Sequence, residues 1–268
     1  MNYLSIYAGN AVMSPDEIAA ELCGIILGDG HVHKHSNRIT ISGSSDDLVY
    51  FRIRVIPLFQ KLFPFVNPRI VKLKNKNAYN LEVENKSIIN FFIGRFGFKR
   101  GPKYEAHIPP DILSSPSFIP HFLRGLFDTD GCLKFSKQAR AYSYYPRVRI
   151  ALVSSPLTHQ LSSILTQAGF TFSKGTQQNH GYATKRSLVC YEISGKHAFE
   201  KWMRLIRPAN PVHVTKYEYW KKFGHYIPKI TFAERIRQIG PGGFEPPSQE
   251  SESRILDRYT TGLLDMER

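Results

Sequence analysis

The chain has 268 residues, of which 42% are hydrophobic and 13% aromatic. That is enough apolar material for one large domain or two small ones, and it excludes an intrinsically disordered protein. Lys and Arg number 36 against 22 Asp and Glu, a net charge of +14 that points to a polyanionic partner, nucleic acid first among them. The three cysteines, Cys23, Cys132 and Cys190, are scattered and odd in number. This excludes a thiolate zinc site and fits a reducing compartment. The N-terminus shows no basic and apolar leader, and no apolar run approaches the ~20 residues of a membrane helix, so the expectation is a soluble, intracellular protein.

The first helix opens at Ser14-Pro15-Asp16-Glu17, where Ser14 and Glu17 form a capping box and Pro15 suits the first turn. The spacing of Ile18, Leu22, Ile25 and Ile26 carries it to Gly28-Asp29-Gly30. HVHKHSNRITISG then alternates and turns at Ser36-Asn37, a hairpin. Residues 45–62 have helical spacing. PRIVKLKNKNAYNLEVEN is a second hairpin turning near Asn75-Lys76-Asn77, and SIINFFIGRFG is a short helix. The same order then recurs. A helix over SFIPHFLRGLFDT ends at Asp130-Gly131, and CLKFS and RVRIALVSS pair around an Arg- and Tyr-rich loop. SPLTHQLSSILTQAGF is helical, FTFSKGTQQ and RSLVCYEISG form a hairpin, and HAFEKWMRLIR closes the set. Asp29 and Asp130 are one repeat length apart. The reading is an α+β chain of two pseudo-symmetric halves, 14–110 and 117–225, related like the subunits of a fused homodimer and acting as a monomer. From residue 240 to 268 Pro and Gly cluster and acids exceed bases, which reads as a disordered tail outside the fold. Gly243-Phe244-Glu245-Pro246 within it can be encoded by GGTTCGAACC, a sequence resembling the T-arm of a tRNA gene, so the reading frame is a candidate for read-through into neighbouring sequence.

Aligning the two first helices sets Leu22-Cys23-Gly24-Ile25-Ile26-Leu27-Gly28-Asp29-Gly30 against Leu123-Arg124-Gly125-Leu126-Phe127-Asp128-Thr129-Asp130-Gly131. A glycine inside a helix costs about 1 kcal/mol relative to alanine, so something must offset it twice. Gly24 and Gly28 lie four residues apart on one face, and Gly125 and Thr129 do the same. Small residues at this spacing let two helices approach closely, so the two helices are expected to pack on each other and bring Asp29 and Asp130 together. Both acids then stand at helix C-termini, where the dipole and their mutual repulsion disfavour them. A divalent cation with a preference for oxygen, Mg²⁺, relieves both problems and suits phosphodiester hydrolysis.

These segments resemble the paired motifs of the LAGLIDADG homing endonucleases in their single-chain, two-motif form, over about residues 14–225. The resemblance implies an αββαββα-type plan in each half, with four-stranded sheets forming a saddle over DNA. It implies that Asp29 and Asp130 bind the catalytic metal, with the preceding Gly28 and Thr129 beside it. It implies a site-specific endonuclease that cuts both strands of a long target across the minor groove, leaving short 3′ overhangs, and a role in intron homing. Lys103 and Lys216, near the ends of the two halves, match lysines that polarise active-site water. The chain departs from the pattern at Leu27, where the family has its first aspartate, which Asp128 keeps in the second copy. Cys23 and Arg124 replace the alanine. The same fold also carries maturases that act on intron RNA and non-catalytic DNA-binding regulators, and these remain the alternatives.

The strand pattern nominates a DNA face. His31, His33, Arg38, Thr40 and Ser42 oppose Ile39 and Ile41; Lys72, Lys74, Asn80 and Glu82 alternate with Val71, Leu73, Leu81 and Val83. In the second half Lys134, Ser136, Arg147 and Arg149 oppose Leu133, Phe135, Val148 and Ile150, and Gln177, Gln178, Lys185 and Arg186 flank a turn. Two-stranded ribbons fit the major groove, where such side chains read base edges and hold phosphates. His31, His33 and His35 share a strand face, but without a fourth partner a DNA-facing or solvated role outweighs a metal site.

Overall fold

The computed structural model describes residues 13–178 and 187–240. Lys185 and Arg186, and the tail with its tRNA-like segment, lie outside the described residues.

Helix α1, Pro15–Leu27, begins with the capping box: Glu17 N–H donates to Ser14 Oγ at 3.2 Å, and Ser14 N–H donates to the Glu17 carboxylate at 2.8 Å. Strands β1, Gly30–Val32, and β2, Arg38–Ser44, follow. The segment expected to be one regular helix over 45–62 changes type instead. It starts as a 3₁₀ turn at Ser45–Asp47, runs through the single turn α2, Leu48–Tyr50, opens into a π turn at Phe51–Val55, and ends as α3, Ile56–Leu62. Pro57 has no N–H to give and its ring crowds the carbonyl four residues back, a conflict that a widened turn accommodates. Strands β3, Arg69–Lys72, and β4, Ala78–Glu84, complete the first sheet in the order β1-β2-β4-β3. Helix α4, Lys86–Phe96, is capped by Asn85 and stops at Gly97, whose φ of 68° suits glycine.

After the short α5, Pro110–Ser114, the second half repeats the plan with α6, Ile119–Asp130, and β5, Gly131–Ser136. Then come β6, Tyr145–Val153, α7, Pro156–Gln167, β7, Ser173–Gln177, β8, Leu188–Ser194, and α8, Lys196–Leu205. Its sheet order, β5-β6-β8-β7, matches the first. Two further helices, α9, Pro211–Phe223, and α10, Phe232–Ile239, have no counterpart in the first half. The sequence pattern predicts no helix over either; α9 combines a proline start with a weak apolar stripe, and its burial comes from tertiary contact. The packed second half therefore continues to Ile239: buried Arg235 donates to Thr215 Oγ1 at 3.2 Å and to the Tyr226 hydroxyl at 3.1 Å, tying α10 to α9.

The two halves meet where α1 crosses α6. A Cβ on Gly24 would fall on the carbonyl oxygen of Phe122 and lie 2.7 Å from Leu126 N, and a Cβ on Gly125 would fall on the carbonyl oxygen of Glu21. Beside this crossing Glu21 is fully buried. Its carboxylate accepts from Arg54 Nε at 2.6 Å, from Arg54 Nη2 at 2.5 Å, and from Arg124 Nη1 at 3.0 Å. Arg124 also donates to the carbonyl of Ile206 at 2.8 Å. Arg124, one departure from the motif, thus spends its side chain on a salt-bridge triad that joins the halves. Burial pushes the Glu21 pKa up, but the two guanidiniums win and hold it below its ordinary value.

The crossing predicts opposite signs for two glycine substitutions. Gly125→Ala should destabilise the protein by about 1–3 kcal/mol or more, because backbone rather than a flexible side chain must move. Gly94→Ala, in α4 with nothing within 4 Å of the added carbon, should be neutral or stabilising by up to ~1 kcal/mol. Urea unfolding of the two variants measures both. Glu21→Ala should cost about 3–5 kcal/mol in the same assay by stranding two buried guanidiniums.

Candidate active site

The chemistry of the site starts from the last turn of each crossing helix. Thr129 Oγ1 turns back to donate to its own helix, to the carbonyls of Gly125 and Leu126, both at 3.0 Å. It lies over Gly28, where a Cβ would collide with the threonine side chain and stand 3.3 Å from Asp130 Oδ2. The carboxylate of Asp130 therefore reaches across to the end of α1. The final glycines are also explained by space. A Cβ on Gly30 would sit 2.6 Å from the carbonyl oxygen of Ile26, and one on Gly131 would strike Phe127. Each motif needs glycine there so that the strand can leave the helix directly after its acid.

Asp29 bears on Asp130, and both bear on Lys103. Burial and, after it, the neighbouring Asp29 push Asp130 up against the opposing charge of Lys103, and the net result is about 7. Burial likewise raises Asp29 to about 6, with Lys103 opposing and Asp47 adding. Asp29 is exposed and Asp130 is half-buried, so the shift on Asp29 is the more softened by water. Lys103 comes in from the loop after α4. Its ammonium donates to the carbonyl of Leu27 at 2.9 Å and to the carbonyl of Gly28, the unsatisfied C-terminal oxygens of α1. Burial pulls its pKa down and the two aspartates push back.

Lys216 is differently placed. It sits on α9 rather than in a loop following the last helix, and the charges acting on it are Arg235, Cys132 and Asp46. Cys132 follows Asp130-Gly131 as His31 follows Asp29-Gly30, and His31 feels Lys103. The two lysines thus flank equivalent strand positions, yet Lys103 is the one whose ammonium bears on both aspartates.

Asp128 has a structural partner. It is buried, accepts from Ala209 N–H at 2.8 and 3.1 Å, and has its pKa raised to about 7 by burial against the pull of that hydrogen bond. Leu27, its equivalent, is buried among apolar neighbours. Sequence reasoning missed Asn210. It is buried; its Nδ2 donates to the Asp128 carbonyl at 2.9 Å and to Asp47 Oδ1 at 3.0 Å, and its Oδ1 caps α9 by accepting from Val212 N–H at 3.0 Å. One side chain thus connects the helix of Asp130, the helix of Lys216 and the first half. An asparagine before a proline signals a helix cap, but nothing local reveals partners 82 and 163 residues away.

Strand pairing settles which side chains share the outer faces. His31 pairs with Thr40, and Ser42 with Asn80; Lys134 pairs with Arg147, Cys132 with Arg149, and Ser136 with Tyr145. Gln177 joins the second face beside Arg149, which donates to it at 2.7 Å. Arg38 is held by Glu82 at 3.3 Å and Arg147 by Glu192 at 2.6 Å, the same diagonal ion pair in both sheets. Two expectations need correction. Lys72 pairs with buried Tyr79, with its ammonium 6.0 Å from that ring, so it lies on the opposite face from Asn80 and Glu82; half-exposed Val71 takes the outward position. A one-residue phase difference between β3 and β4 inverts every side chain. Thr40 does point outward but is buried beneath His33, whose Nε2 is 2.8 Å from its hydroxyl. Lys74 lies exposed in the turn after β3, and Gln178 is exposed just after β7.

Among the described residues no three His, Cys, Asp or Glu side chains converge on a common metal position, which leaves His31, His33 and His35 without a metal-binding arrangement. Asp29 and Asp130 offer two carboxylates beside main-chain carbonyls, an all-oxygen donor set. A cation already stands against it, the ammonium of Lys103. Oxygen donors with excess negative charge fit a hard divalent ion such as Mg²⁺.

No family model matches the chain. Among curated proteins it is similar to the replication factor C small subunit of Methanocaldococcus jannaschii, 34% identical over 118 residues, which are 43% of this chain and 6% of that protein. It is also similar to the replicative DNA helicase DnaB of Synechocystis sp., 27% identical over 183 residues, 63% of this chain and 20% of that protein. The chain spans a small part of each. Among solved structures, I-DmoI in complex with DNA and Mn matches with a TM-score of 0.50 at 20% identity, covering 72% of this chain and 98% of that one. The N-terminal LAGLIDADG domain of WhiA matches with a TM-score of 0.48 at 17% identity, covering 76% and 85%. The fold is that of the LAGLIDADG homing endonucleases: mixed α and β, with two four-stranded antiparallel sheets.

The raised carboxylates give a pH signature. In the unfolded chain Asp130 titrates near its ordinary value, and in the fold near 7. Between those values the metal-free fold holds a proton that the unfolded chain does not, so stability falls as pH rises across that window. Asp130→Asn should therefore match the wild type near pH 4 and exceed it at pH 8, by roughly 1 kcal/mol after discounting for partial exposure. Denaturant midpoints at the two pH values, in chelator, check the sign.

Proposed function

We propose that the protein is a divalent-metal-dependent, site-specific endonuclease that cuts both strands of double-stranded DNA. The observation that carries this reading is the meeting of Asp29 and Asp130 at the joint of the two halves, with Lys103 against them and a basic sheet on either side. Asp29 and Asp130, with the carbonyl of Gly28, would hold Mg²⁺. The bound ion would supply Lewis-acid activation of water and stabilisation of the leaving oxygen in phosphodiester hydrolysis.

The chain's own residues account for the rest. Arg38, Arg147, Arg149 and Lys134 supply positive charge on the sheet faces, where phosphate contacts position the duplex. Ser42, Asn80 and Gln177 carry the donors and acceptors suited to base edges in the major groove. His31 stands one residue beyond Gly30 and is exposed, well placed for DNA at the margin of the centre. Two halves in one chain present two different sheets, so the target is long and asymmetric and a single copy suffices to engage it. The neighbour I-DmoI was solved with DNA and Mn, which supports this reading. The replication activities of the two curated relatives are not carried over, because the chain matches so little of either. A DNA-binding regulator or an RNA maturase without nuclease activity would need the close-packed glycines equally, but would have no use for two mutually repelling acids with raised pKa values beyond them.

Asp29→Asn and Asp130→Asn should each abolish double-strand cleavage of a selected target, reducing the rate by at least about 10³-fold, while DNA binding in Ca²⁺ stays within a few-fold of wild type. A cleavage selection on a random duplex library in Mg²⁺ supplies the target. Full cutting by the double variant would refute the proposal.

A further inference from the structure

The side chain of Lys103 does more than stand near the acids. Its ammonium is anchored on the Leu27 and Gly28 carbonyls at the C-terminus of α1, the negative end of the helix dipole. It acts electrostatically on Asp29 and Asp130 alike, and each aspartate acts back on it. The Gly28 carbonyl that it holds and the two carboxylates that it acts on are the groups to which the proposed function assigns the divalent ion. Without an added cation, the centre would place two carboxylates and a row of unsatisfied carbonyls together with no compensating charge.

We propose that Lys103 is the resident counter-cation of the metal-free centre, and that a divalent ion binds in competition with its ammonium. The idea rests on the proposed metal site and adds a cost to filling it. The ammonium supplies a single charge on a flexible four-carbon stem, so it can withdraw from Gly28 while its loop remains packed. In its parked position it neutralises the acids and relieves the helix end. A dication arriving at the same oxygens is repelled by it at short range, where the partly buried setting screens weakly. Lys103 thus stabilises the empty centre and weakens its hold on metal. The second half has no equivalent, since Lys216 bears on Asp46 and Cys132 instead.

The test is Mn²⁺ binding to the full chain without DNA, followed by the electron paramagnetic resonance of free Mn²⁺. It is run at about pH 8, where proton competition at the two carboxylates is small. Lys103→Gln removes the charge and keeps a donor for the carbonyls; Lys103→Arg keeps the charge. The expected result is that Lys103→Gln binds Mn²⁺ at least tenfold more tightly than wild type, while Lys103→Arg stays near wild type. In chelator Lys103→Gln should melt below wild type, and saturating Mn²⁺ should close that gap. Equal or weaker Mn²⁺ binding by Lys103→Gln, with binding still lost in Asp29→Asn, would overturn the competition but leave the metal site standing. Equal binding by wild type and the Asp29→Asn, Asp130→Asn double variant would overturn the metal site and this inference with it.

Discussion

The backbone contact between α1 and α6 is the constraint from which the rest follows. At Gly24 and Gly125 each helix presses on the main chain of the other, leaving no room for a methyl group. Close approach forfeits side-chain burial at two positions and costs helix propensity twice. In return it fixes the rotation and height of the two helices relative to one another. Their C-terminal turns then arrive at one place, with Gly28 and Thr129 filling the last of the space between them. Glu21, Arg54 and Arg124 add a charged lock beside the crossing, and its burial makes it intolerant of losing a partner.

That same approach creates the electrostatic problem that the site uses. Two helix C-termini and two carboxylates are brought together in a half-buried setting. Desolvation comes first in raising both acids, and their mutual repulsion adds to the effect on Asp130. Structure alone would avoid such an arrangement. It is tolerable when a cation is present, and Lys103 supplies one from the loop after α4. Perturbed acids beside a lysine, between two basic sheets, suit the proposed hydrolysis of a polyanionic backbone.

The two halves share strand order, register and the diagonal Arg–Glu pair, but the centre is not symmetric. Lys103 and Lys216 flank equivalent strands and face different charges. The second half carries α9 and α10, and through Asn210 it holds the first half at Asp47. The shared plan sets the frame, while the differences between the halves decide which charges meet each acid.

Much of this was legible in the residues themselves. Period-2 and period-3.6 patterns located most strands and helices, and the recurrence of Leu-x-Gly with a terminal Asp-Gly identified both the crossing and the acids. Those features are local, since a helix face and a strand face are set by neighbours in sequence. The rest depends on contacts between distant segments. The π turn that carries Arg54 to Glu21, the inverted facing of Lys72 and the burial of α9 follow from packing, to which local propensity is blind. Whether a lysine meets the acids depends on how a loop some 75 residues away is folded back, and the same is true of Asn210 across 163. The sequence determined that two acids end two small-residue helices. Tertiary structure decided which cation acts on both of them, because charge acts through space rather than along the chain.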